Sequence, residues 1–170
     1  MSVPKWQRSQ SATEYLWQIY KLNIDVAEIV SNKPKKYKST HSDLLIKYAL
    51  MALSSANMAN DIYVKTAEDL KRRVDLLKRS MSYIYNVALM GDIFLELCKK
   101  SPDCDKKKMV RQQERIGTAC AECLKLLTGV IKSDKKRYKF KIYITHISYI
   151  QPAIGGSVPL MRTTTVTSAM

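Results

Sequence analysis

Residues 66–100 read TAEDLKRRVDLLKRSMSYIYNVALMGDIFLELCKK. Leu70, Val74, Leu77, Met81, Ile84, Ala88, Gly91 and Leu95 recur at alternating steps of four and three, and Cys98 continues the line. That spacing is an a/d seam along one long helix. Leu76, Tyr83, Val87, Met90, Phe94 and Leu97 form a second apolar line beside it. A helix with two apolar lines has to bury against more than one neighbour. Lys71, Arg72, Arg73, Lys78 and Arg79 occupy the flanking positions, so one element joins a core face to a basic face. Thr66 is placed to cap the helix, with Glu68 and Asp69 in its first turn to suit the dipole.

Working outward, the chain supplies three further helices. Residues 11–31 put Tyr15, Ile19, Leu22, Val26 and Ile29 on one face, behind a Ser11/Glu14 capping pattern. Pro34 interrupts that pattern, because a proline disfavours helical geometry in the residue before it. Residues 41–63 carry a main line of Leu44, Tyr48, Met51, Ser55, Met58 and Ile62. Beside it runs a small-residue stripe of Ala49, Ala52, Ala56 and Ala59. Lys47 is the only charge between Asp43 and Asp61, which predicts that this helix is the most buried. After a Ser101-Pro102-Asp103 turn, residues 105–132 form the fourth helix, with Met109, Ile116, Cys120, Cys123, Leu127 and Val130 inward. The expected fold is all-α: an antiparallel up-down four-helix bundle over residues 11–137, after an N-terminal arm of residues 1–10. Phe140-Lys141-Ile142-Tyr143-Ile144-Thr145-His146-Ile147 alternates like a strand, so residues 138–170 read as an irregular or short-strand tail.

The 170 residues suit one domain, and their net charge of +14 points to a polyanionic partner. Apart from a run of Lys135, Lys136, Arg137, Lys139 and Lys141 after the fourth helix, the basic residues gather in three places that make up the expected site. Lys35, Lys36 and Lys38 surround Tyr37, where cations hold phosphates while a ring stacks a base. Arg72, Arg73 and Arg79 lie on the long helix, and Lys107, Lys108, Arg111 and Arg115 open the last one. Cations at a helix N-terminus oppose its dipole, and a bound anion accounts for them. These ten residues are the expected nucleic-acid site. Replacing Arg72, Arg73 and Arg79 together is expected to weaken RNA binding without unfolding the bundle.

Other chemistry is weakly signalled. Cys120-Ala121-Glu122-Cys123 could join Cys98 and Cys104 around zinc, but buried cysteines also serve as small hydrophobes. Asp92 and Glu96 stand one turn apart, where a surface pair competes with acid–base work. No phosphate loop, metalloprotease helix or nucleophile triad is present, so neither a catalytic centre nor a cofactor is expected. The polar first ten residues and the lack of a long apolar run make the cytoplasm the expected compartment, with thiols reduced and no membrane partner.

Pro34-Lys35-Lys36-Tyr37-Lys38 followed by a helix from His41, four helices and the basic excess together resemble the accessory variability determinant (Avd) proteins of diversity-generating retroelements. Lys35 and Lys38 match the family pattern, while His41-Ser42 stands where a Leu-Gly pair usually falls. The resemblance spans about residues 11–136. It implies a homopentameric barrel that binds RNA and DNA and associates with a reverse transcriptase in a bacterial or phage-infected cell. Such proteins have no catalytic centre; the complex makes cDNA for mutagenic homing. Two other functions fit the residues: a general RNA- or rRNA-associated bundle, and a bundle whose partner is an acidic protein.

Overall fold

The computed structural model describes residues 14–31, 40–100 and 105–150, with the side chains of all of these except Thr40, Cys98 and residues 140–150. They form four helices: α1 (Glu14–Ser31), α2 (Thr40–Asn60), α3 (Ala67–Lys99) and α4 (Lys106–Ile150). No strand occurs among the described residues, so the architecture is an all-helical bundle. The helices up to Tyr138 belong to one compact unit, and a second unit begins at Lys139.

Local chemistry fixes the helix starts. Asp69 N–H donates to Thr66 Oγ1 at 3.1 Å, and Asp69 Oδ2 accepts from Thr66 N–H at 2.8 Å and Lys65 N–H at 3.1 Å. This reciprocal arrangement is a capping box with Asp in the acidic position. The Thr66 and Lys65 backbone donors hold the Asp69 carboxyl below its usual range. At the start of α4, Asp105 Oδ1 accepts from Lys108 N–H at 3.1 Å, the N-cap role in its simplest form.

The core is a single cluster drawn from all four helices. Leu16, Ile19, Leu22 and Val26 come from α1, Leu45 and four alanines from α2, Leu77, Ile84, Val87 and Phe94 from α3, and Ile116, Cys120, Cys123 and Leu127 from α4. Each fully buried Leu, Ile, Val or Phe contributes about 1.5–3 kcal/mol against leaving it in water. The long helix does meet two neighbours. Ser80 Oγ donates to Ala52 O at 2.8 Å on α2, and Asp92 Oδ1 accepts from Gln113 Nε2 at 2.8 Å on α4. Asn23 Nδ2 ties α1 to Ala49 O of α2 at 3.0 Å, while Arg115 ties α4 to Asp25 and Glu28 of α1. Gly91 of the seam sits under α4, where a Cβ would meet Gln113 Oε1 at 2.6 Å.

Three expectations need correction. In α2 the inward face is Leu45 with Ala49, Ala52, Ala56 and Ala59, the small stripe itself. Of the expected main line only Ser55 is buried, and Met58 is 52% exposed. Alanines let neighbouring helices approach until the larger residues are pushed to the edges. On its outer face α2 exposes Leu50 at 56% as well, although of the four helices it has the largest share of buried residues among those described. It also stops at Asn60 rather than near 63, because Arg73 Nη1 takes the carbonyls of Ala59 and Ile62 at 2.9 and 3.2 Å.

The third correction concerns residues 140–147, which are helical, part of an α4 that runs to Ile150 instead of ending near 132. A lone strand leaves its backbone groups unpaired, whereas a helix satisfies them within the segment. No glycine or proline falls between Val130 and Gln151 to stop the helix, and β propensity yields where no sheet edge is offered. The arm at residues 1–10, the link at residues 32–39 and the chain beyond 150 lie outside the described residues. No described helix is long and apolar enough to cross a membrane.

Candidate nucleic-acid interface

Arg73 belongs to the fold rather than to an open binding face. Its Nε donates to Asp134 Oδ2 at 2.7 Å, with the two side chains only 14% and 10% exposed. Its Nη1 caps the end of α2 through the Ala59 and Ile62 carbonyls. One guanidinium therefore links α2, α3 and α4. Arg115 is also engaged: its Nη2 meets Glu28 Oε2 at 2.6 Å and Asp25 Oδ1 at 3.1 Å, and the hydrogen bond to Glu28 raises its pKa.

Arg72, Arg79, Lys107, Lys108 and Arg111 are exposed and make no ion pair with a described residue. The structure does not bring them together. Arg73 draws the first turns of α3 to residue 134 of α4, so Arg72 lies toward that end. At 1.5 Å per residue, Arg111 is roughly 35 Å along α4 from Asp134. Lys35, Lys36 and Lys38 lie outside the described residues.

The expected site left out part of the basic surface at the Arg72 end, although Lys135 and Lys136 stand in a basic run of the sequence. Lys125, Lys132, Lys135 and Lys136 are exposed on α4, and the last three flank Asp134. The signal was present, since Lys125, Lys132 and Lys136 keep helical spacing. Ending the helix near 132 concealed it.

The tyrosines separate clearly. Tyr15 is buried and donates to Asn60 Oδ1 at 3.3 Å; burial pushes its pKa up to about 12. Tyr48 stacks on Tyr83 with ring centroids 6.3 Å apart, and Tyr20 stacks on Trp17 at 5.6 Å. Tyr85 and Tyr63 stand in solvent, at 59% and 77% exposure.

Of the metal and acid–base candidates, the structure describes the side chains of Cys120, Cys123, Asp92 and Glu96. Cys120 and Cys123 are buried, and desolvation raises both thiols to about 12. Cys104 and the Cys98 side chain lie outside what the structure describes. Among the described residues no group of three or more His, Cys, Asp or Glu could hold a metal ion. Asp92 is tied to Gln113, and Glu96 pairs with Lys99 at 2.6 Å.

Apolar surface lies apart from these groups. Ile46, Leu50, Met51 and Ser54, with Asp43 and Lys47 at the edge, line a shallow depression of about 380 Å³ on the outer face of α2. On α3, Tyr85, Leu89 and Ile93 repeat every four residues and stay exposed. The chain matches no protein-family model, and neither the curated proteins nor the solved structures contain a match.

Proposed function

We propose that this chain is a non-catalytic nucleic-acid-binding accessory protein of the Avd type. It associates with a reverse transcriptase and holds template RNA, with the cDNA copied from it, during mutagenic cDNA synthesis in a diversity-generating retroelement. The observation that carries the reading is the set of exposed cations without an ion pair to a described residue: Arg72 and Arg79 on α3, Lys107, Lys108, Arg111, Lys132, Lys135 and Lys136 on α4. Cations left unneutralised by the fold release counterions from a phosphate backbone when they meet one. The polymerase partner rests on the resemblance through Pro34-Lys35 and Lys38.

The bundle is read as antiparallel, up-down. In support, Tyr15 meets Asn60 while the later Asn23 meets the earlier Ala49. Likewise Arg73 meets Ala59 and Ser80 meets Ala52, and Arg73 meets Asp134 while Asp92 meets Gln113. Self-association, with five copies as the resemblance implies, is supported by the outer faces of α2 and α3. Leu50, Met58, Tyr85 and Leu89 are each more than half exposed on adjacent helices. Large apolar side chains left in solvent on neighbouring helices are a common mark of a protein contact.

The test is anisotropy of a labelled structured RNA across a salt series, with mass by light scattering in the same buffer. A multimer whose log affinity falls steeply with log salt is the expected result. Arg72→Ala with Arg79→Ala should flatten that slope by about 1.5, near 0.7–0.9 for each phosphate no longer neutralised. Co-purification with a reverse transcriptase separates this role from that of a general RNA-binding bundle. A protein that ignores RNA at low salt overturns the reading and leaves an acidic protein as the partner to seek.

A further inference from the structure

The connection between α2 and α3 is short and held at both ends. On one side Arg73 grips the carbonyls of Ala59 and Ile62, and is itself held by Asp134. On the other, Asp69 takes the N–H groups of Lys65 and Thr66. Tyr63 and Val64 lie between these anchors. A turn of this length needs no buried ion pair to close it, and burying one costs desolvation. What the arrangement achieves is a fixed backbone under Tyr63, the most exposed of the described large hydrophobic residues at 77%. Lys65 Nζ sits over one face of the ring, 5.8 Å from its centroid, which leaves the other face for stacking, and Arg72 sits one residue before the clamp, exposed.

We propose that Tyr63 is a stacking platform for an unpaired nucleobase, with Lys65 and Arg72 on the flanking phosphates. A ring carried on a backbone held on both sides has less freedom to lose on binding, and every base offers a π-face to it. Asp61 and Glu68 are also exposed nearby and disfavour a dense phosphate track, which confines the site to about one nucleotide. The platform lies at the same end of the bundle as Lys132, Lys135 and Lys136, so a strand stacked on Tyr63 continues onto α4. This deepens the nucleic-acid reading above and depends on it.

The test compares wild type, Tyr63→Ala and Tyr63→Phe on labelled single-stranded RNA, single-stranded DNA and a blunt duplex of equal length. Tyr63→Ala should weaken single-strand binding roughly 5- to 150-fold, the range for losing one stacked base. Its salt slope should stay unchanged, because every cation that meets a phosphate is still in place. Tyr63→Phe should bind like wild type, and the duplex should not distinguish the three proteins. A larger loss on RNA than on DNA identifies RNA as the stacked strand, and the reverse identifies DNA. Wild type that binds with a steep salt slope while Tyr63→Ala binds identically overturns the platform alone, as does an equal loss on duplex. Wild type that binds no nucleic acid overturns the underlying reading as well.

Discussion

Replacing Arg73 by Ala should destabilise the bundle severely, and its bonding partners give the size. The substitution leaves the Asp134 carboxylate, 10% exposed, without its 2.7 Å partner. Breaking a buried pair from one side costs about 3–5 kcal/mol, because the remaining charge stays desolvated. It also frees the Ala59 and Ile62 carbonyls at the end of α2, where Ala59 is buried and Ile62 half-buried, which adds to the loss. For a chain of this size the sum corresponds to a melting temperature lower by roughly 10–15 °C. Urea unfolding followed by circular dichroism measures it directly.

The decisive comparison is a double-mutant cycle with Arg73→Met and Asp134→Leu. Two apolar residues of similar volume remove both charges together, so the double variant should lose only about 1–2 kcal/mol, chiefly the two carbonyl hydrogen bonds. If Arg73→Ala costs less than about 1 kcal/mol, or if the two single losses simply add, water already screens the pair. Arg73 would then rejoin Arg72 and Arg79 as a proposed binding residue. For the same reason the triple Arg72, Arg73 and Arg79 replacement is unsuitable as a binding test, since it removes a link of the fold along with two free cations.

Gly117 and Gly129 lie in α4 with nothing within 4 Å of an added Cβ, so Ala at either should stabilise by about 0.5–1 kcal/mol in urea unfolding. Tyr15, whose pKa is raised from 10.0 to about 12, keeps its full contribution below pH 10 and loses it as pH climbs toward 12, because the unfolded state gives up the proton first. That two-unit difference is worth about 2–3 kcal/mol, and Tyr15→Phe should remove this part of the alkaline limb of a stability–pH curve. Leu89→Glu, at a residue 58% exposed, should leave the melting of the helices intact while lowering the mass seen by light scattering; an unchanged mass removes α3 from the proposed interface. The assembled mass should also rise with added salt or RNA, since both screen cations brought close together.

Legibility in the sequence followed how local each signal was. The a/d seam and second line of α3 named Leu77, Ile84, Val87 and Phe94 before any coordinates, since burying two lines requires two neighbours. The Thr66 cap was equally readable, its bonds spanning only three residues. In α2 the pattern misled, because hydrophobicity ranks Met58 and Tyr48 above alanine while close helix approach selects the alanines. The strand-like run at 140–147 misled because alternation carries no information about whether a sheet edge exists to receive it. For the site, the cation count was legible but the partners were not. Arg73 and Arg79 look alike in sequence, and only the fold brings Asp134, 61 positions later, against one of them.

The missing charge on α2 and the changing face of α3 have a common physical explanation. Between Asp43 and Asp61 a single lysine breaks a neutral stretch, a composition that suits burial, yet its outer face is open within one chain. The exposed face of α3 is cationic over Lys71, Arg72, Lys78 and Arg79, then apolar over Tyr85, Leu89 and Ile93. An apolar surface favours association between copies, whereas like charges a few ångströms away oppose it. In the proposed assembly these tendencies act at opposite ends of the same helix, so the apolar half can close while the cations stay spread toward the end that carries Tyr63. A polyanion laid across that end cancels the repulsion and binds several copies at once. Binding and assembly then favour one another by equal free energies, as linkage requires.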